Sequence, residues 1–203
     1  MAQAHENLDE RLVHRLLFFT DAVFAIVMTL LVLELKPPLE PGAMGAMAGK
    51  VATFTFSFSI LAIFWLAHQA TTRRLIRFDW PTAIANLVFL FPICLLPFVS
   101  AWVGEALGSA AAWSAYSLVL IACSASNIAL VLIGSRGGGR LMADGMGGRE
   151  RMFRVARAAS PGVSFAIGLI AAQTGAMTVA QFCWLLIPPL LIVVRVLEAR
   201  TPR

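Results

Sequence analysis

Residues 14–35 read "HRLLFFTDAVFAIVMTLLVLEL", nearly continuous hydrocarbon with a single aspartate, Asp21, close to its start. An α-helix needs about 20 predominantly apolar residues to cross about 30 Å of bilayer hydrocarbon. The stretch therefore predicts a transmembrane helix over 16–35. A carboxylate placed inside such a helix is costly unless it meets a partner or water, so Asp21 marks a polar site about one and a half turns in from the end.

The composition points the same way. The 203 residues are 59% hydrophobic and 13% charged, with a mean hydropathy of +0.81. Soluble domains run at about 45–50% apolar and about 25% charged. So few charges cannot cover a soluble surface, and the chain reads as an integral membrane protein. Its formal charge of +5 then fits basic loops at one membrane face rather than nucleic-acid binding. The polar, mixed-charge start "MAQAHENLDERLVHR" lacks the pattern of a cleavable signal peptide. Cys94, Cys123 and Cys183 lie in apolar runs without metal-ligand spacing and read as small buried hydrophobes.

Working outward from the first span, further candidates cover 51–71, 80–103 and 110–133. The charge-free stretch from Ala158 to Val194 would measure roughly 56 Å as one helix, too long for a single crossing. "QTG" at 173–175 offers a turn inside it, giving spans over 153–172 and 178–197. The fold class is all-α: one polytopic domain, residues 1–203, with six transmembrane helices. With both termini in the cytoplasm, all of the sixteen Lys and Arg residues except Lys36 and Lys50 fall on the inner side. The glycine-rich segment "SRGGGRLMADGMGG" (135–148) lacks the Gly-Lys-Ser/Thr ending of a phosphate loop. The spacing predicts a flexible cytosolic loop over 135–150. No internal duplication relates the two halves.

Which groups answer Asp21? Arg15 lies six positions earlier, about 120° around the helix. His68 on the second span and Asn86 on the third fall at a similar depth, and Trp65 shares the helical face of His68. Two readings of this cluster stand open, an interhelical polar clamp and an ion or proton site. The rest of the first span carries a stripe at i, i+4, i+7: Ile26, Leu30 and Leu33. It lies about 140° from Asp21, with Thr29 on its flank. Periodicity alone makes such a stripe lipid-facing or core.

The run Arg15-Leu-Leu-Phe-Phe19-Thr20-Asp21 resembles the Arg-x-x-x-Phe-Ser-Asp signature on the first helix of the transmembrane protein 175 family, potassium channels of endosomes and lysosomes with bacterial relatives. "AVFAIVMTLLVLEL", "LAIFWLAHQ" with Trp65 and His68, and "IANLVFLFPICLLPF" on the third span are similar to that family as well. Thr20 replaces the usual serine but keeps the hydroxyl. Gln69 stands where bacterial relatives often have a second histidine.

The resemblance implies a six-helix unit whose first helices line a central pore. Animal members carry two units and act as dimers, so a single unit implies a homotetramer. Ile26, Leu30 and Leu33 then correspond to a hydrophobic constriction, and Thr29 to a hydroxyl layer assisting potassium selectivity. Arg15, Phe19, Thr20, Asp21, Trp65, His68 and Asn86 correspond to a polar network holding the pore helix. The implied function is a potassium-selective or potassium-preferring channel of the bacterial inner membrane. Its partners are potassium ions and membrane lipid; it needs no cofactor, and no metal other than the permeant ion. A Thr-Val-Gly-Tyr-Gly filter has no counterpart, since Tyr116 sits in "WSAYS". The alternative is a secondary transporter, proton-coupled through Asp21 and His68, although the first span has neither the glycine nor the proline of an interrupted helix. An enzyme is the weakest reading, because His5, His14 and His68 are scattered and no metal-ligand cluster is present in the sequence.

Overall fold

A computed structural model describes residues 2–35 and 44–201. Lys36 and Arg203, two members of the charge pattern, lie outside the described residues. The chain forms α1 (Ala2–Leu33), α2 (Met44–Thr72), α3 (Trp80–Glu105), α4 (Ala110–Gly134) and α5 (Gly148–Gln173). The sixth span, α6 (Met177–Arg200), is broken into Met177–Phe182, a 3₁₀ turn at Cys183–Leu186, and Ile187–Arg200. All six are long and apolar enough to cross a membrane, and the protein is a multi-pass membrane protein.

Local chemistry sets the boundaries. Asp79 caps α3 by accepting from the Thr82 N–H at 3.0 Å, and Ser109 caps α4 by accepting from the Ala112 N–H at 3.3 Å. Thr174 and Gly175, the latter at φ +81°, turn the chain between α5 and α6 where the sequence offers "QTG". The break in α6 follows from Pro188 and Pro189. Neither can donate a backbone hydrogen bond, and each ring crowds the carbonyl four residues earlier, within the 3₁₀ turn.

The packing is uneven. α4 is the centre of the bundle and packs most extensively against α5 and α3, while α1 packs mainly against α3 and α2. The main core joins Phe24 of α1, Phe64 of α2, Phe89 and Leu96 of α3, Tyr116 and Leu120 of α4, and Phe165 of α5. Along α1 the buried positions are Val13, Thr20, Phe24, Val27 and Leu31, one narrow stripe at heptad spacing. A helix buried on so little of its circumference leaves most of its surface for other contacts.

The glycine-rich connection makes defined backbone contacts. The Ile76 N–H donates to the Leu141 carbonyl at 2.9 Å, and the Ala143 N–H donates to the Arg74 carbonyl at 3.0 Å. The segment thus docks against the α2–α3 turn. Leu141, Met142 and Met146 form a second small core with Val13 and Leu75. Gly139 makes the tight path possible: it holds φ +77°, and a Cβ there would stand 2.4 Å from the Met146 nitrogen. Composition alone reads these glycines as slack, whereas several of them supply backbone shapes that other residues avoid.

Candidate functional site: the two edges of the first helix

One edge of α1 is tied to its neighbours by directional bonds. Asp21 Oδ1 accepts from Trp65 Nε1 at 2.9 Å and from Gln69 Nε2 at 2.5 Å, both on α2. These donors sit four residues apart, one helical turn, so a single carboxylate oxygen reaches both. The adjacent Thr20 begins a second chain. Asn86 Nδ2 of α3 donates to Thr20 Oγ1 at 2.8 Å, and Thr20 donates in turn to the Leu16 carbonyl at 2.9 Å. His68 Nε2 meets Asn86 Oδ1 at 2.7 Å.

The direction of that second chain fixes the histidine tautomer. Asn86 uses its Nδ2 toward Thr20, so its Oδ1 accepts and His68 Nε2 must carry the proton. Nδ1 is left buried without a partner. The imidazole lies flat on Phe89, with ring centroids 5.3 Å apart and planes 3° apart, and Phe24 approaches it at 6.2 Å. Thr20, His68 and Asn86 are all buried. The bonds close a triangle: α1 to α2 through Asp21, α1 to α3 through Thr20, and α2 to α3 through His68.

The structure therefore brings together Thr20, Asp21, Trp65, His68 and Asn86, and adds Gln69, which the sequence reading did not place in the network. Arg15 and Phe19 lie apart from this cluster. Both are exposed, and no hydrogen bond or ion pair joins either side chain to this cluster. Helical geometry supplies the reason. Arg15 precedes Ile26 by eleven positions and Phe19 precedes it by seven, each close to a whole number of turns. They belong to the opposite edge, with Ala22, Ile26, Leu30 and Leu33. That spacing was visible in the sequence and points away from Asp21.

The second edge is open. Ile26, Leu30 and Leu33 are 57%, 41% and 68% exposed, so the described residues leave this edge largely uncovered. Thr29, also exposed, donates its hydroxyl proton to the Ile26 carbonyl at 2.8 Å. This spends the donor within the helix and leaves the oxygen lone pairs facing outward. Tyr116 is buried in α4 with its hydroxyl 2.9 Å from Ser57 Oγ. It is a core residue.

The residues of the polar triangle all fall inside one family match. The model of the endosomal/lysosomal potassium channel TMEM175 matches residues 15–97, from the start of the α1 signature to the middle of α3. Over that region the chain is similar to the TMEM175 family. A potassium channel of Streptomyces collinus is 33% identical over 114 residues, 51% of this chain and 55% of that protein. A potassium channel of a Chryseobacterium species is 32% identical over 92 residues, 44% of this chain and 48% of that one. The chain thus spans about half the length of these relatives. The endosomal/lysosomal proton channel TMEM175 of Rattus norvegicus is 28% identical over 92 residues, 42% of this chain and 18% of the rat protein. Among solved structures, the lysosomal potassium-selective channel TMEM175 homolog of Chamaesiphon minutus superposes with a TM-score of 0.72 at 20% identity, covering 90% of this chain and 97% of that one. The TMEM175 fold therefore extends through α4, α5 and α6, beyond the reach of the family match.

Proposed function

We propose that the protein is a potassium-preferring cation channel of the bacterial inner membrane, with both termini cytoplasmic. Four copies surround an axis lined by α1. The supporting observation is the division of α1 itself. Its polar edge is bonded to α2 and α3, and its aliphatic edge is left uncovered. A fourfold assembly turns that uncovered edge inward and closes Ile26, Leu30 and Leu33 into stacked rings. The names of the bacterial relatives support potassium as the permeant ion.

A narrow apolar ring excludes water, and an ion cannot enter it without losing hydration that nothing replaces. The closed state is thus a dewetted constriction. A small rotation or tilt of α1 widens and rewets it. Thr29, one turn from the Ile26 ring, offers outward-facing oxygen lone pairs as partial substitutes for water. Potassium holds its hydration shell less firmly than sodium, so partial dehydration favours it. Hydroxyls replace water less completely than a carbonyl cage, so the preference is modest. Asp21 stays outside the ion path and acts as the anchor of the pore helix.

The test is ion flux through the purified full chain in liposomes. Flux that rises linearly with the potassium gradient, together with unitary current steps, is the expected result. Saturable flux coupled to a second solute would instead indicate a transporter. Ile26→Asn should wet the ring and raise basal conductance roughly tenfold, the effect of lowering a barrier by about 1.4 kcal/mol. Unchanged conductance in that variant removes Ile26 from the gate.

A further inference from the structure

A groove separate from α1 opens between α2, α4 and α5, with a volume of about 380 Å³. That is within the range of small-ligand sites, about 300–1,000 Å³. Its two ends differ in chemistry. Arg73, Arg154 and Arg157 line one end, and Ile63 and Leu66 line the other. Leu66 is 59% exposed, so the apolar end opens sideways toward bilayer hydrocarbon. Along α2, the distance from Ile63 to Arg73 is about 15 Å. This is about half of a 30 Å hydrocarbon core, the depth of one leaflet.

Two further observations point to an occupant. Arg154 pairs with Glu150 at 3.0 Å and Arg157 with Glu198 at 2.9 Å, whereas Arg73 is exposed and forms no ion pair among the described residues. One guanidinium at the mouth is therefore unspent. Deeper in, Asn127 of α4 lines the groove and is 1% exposed, and its Oδ1 has no hydrogen-bond partner. Buried amides are almost always paired, and an unpaired one at a cavity wall fits a site that a ligand completes.

We propose that this groove binds one anionic phospholipid from the arginine-side leaflet. The phosphate sits at Arg73 with Arg154 and Arg157 behind it. One acyl chain runs past Asn127 and Ala67 to Ile63 and Leu66. A purely apolar occupant leaves Arg73 unanswered, and a free phosphate leaves the apolar end empty.

Native mass spectrometry of the full chain in a neutral detergent tests this, with dioleoylphosphatidylglycerol and dioleoylphosphatidylcholine added at equal concentration. The wild type should retain the glycerol lipid about fivefold more than the choline lipid, the preference expected from one unspent basic side chain near the surface. Arg73→Gln, a change at an exposed position, should bring the two close to parity. Ala67→Phe should fill the groove and remove most of the adduct without changing the oligomeric state. Equal retention of both lipids by the wild type overturns the proposal. So does an Ala67→Phe adduct of undiminished intensity, or a Leu66→Cys variant that cross-links quantitatively between copies, which makes the occupant a neighbouring chain. None of these measurements depends on ion flux, so they stand or fall apart from the channel assignment.

Discussion

The first three helices and the last three are held together by different chemistry. Around α1, α2 and α3 the contacts are directional: a carboxylate, an indole, two amides, an imidazole and a hydroxyl, each at a distance set by its partner. Across α4, α5 and α6 the contacts depend on small size. A Cβ on Gly168 would stand 2.6 Å from Cys183 Sγ, and one on Gly162 would stand 2.8 Å from Ser124 Cβ. Ser124 donates to the Ala158 carbonyl at 3.0 Å, and Ser164 donates to the Cys183 carbonyl. Helices in a membrane associate through close backbone approach and interhelical hydrogen bonds, because lipid is as apolar as their side chains. The first half of this chain relies on side-chain hydrogen bonds, and the second combines close approach with serine-to-backbone bonds.

The difference accounts for the reach of the two kinds of likeness. A hydrogen-bonded triangle demands particular groups, so the family match covers residues 15–97. Close approach is met by glycine, alanine or serine in many combinations. Sequence likeness fades there, while the likeness of fold covers 90% of the chain.

The strongest way to break this contrast is Gly168→Leu. Overpacking a fitted site typically costs about 1–3 kcal/mol and occasionally more, and here the added side chain meets the 3₁₀ turn directly. We expect most of the protein to leave the monodisperse peak in size-exclusion chromatography. A variant that keeps its peak would show that α5 and α6 do not depend on close approach. Asp21→Ala comes next. It strands the Trp65 and Gln69 donors, at about 2 kcal/mol, and should lower the melting temperature by roughly 4–8 °C without altering ion preference. A fully stable assembly with changed selectivity would place the carboxylate in the ion path.

Finer variants sharpen the same comparison. Thr20→Val removes the hydroxyl between Asn86 and Leu16 and should cost about 1 kcal/mol. Thr20→Ser keeps it and should stay within about 0.5 kcal/mol of wild type; thermal unfolding of the pair reads the difference. The smallest effect is expected at Arg15, which lies on the open edge of α1. In a fourfold assembly four guanidiniums would stand near the mouth and repel cations. Arg15→Gln should then raise single-channel conductance by about twofold at low salt, and less at high salt where the charge is screened. A salt-independent change would move Arg15 away from the ion path.

Hydropathy is a sum over neighbouring residues, and it needs no knowledge of the rest of the molecule. The six spans, the turn at 173–175, and the separation of Asp21 from the Ile26 stripe were therefore determined by sequence alone. A hydrogen-bond partner is different, because it depends on how each helix is rotated and shifted against the next. Only the tertiary structure gave Asp21 to Trp65 and Gln69, and set Asn127 unpaired in the wall of a groove. It also showed where the glycine-rich segment meets the α2–α3 turn, since positive φ angles are useful only where another backbone comes close enough to need them.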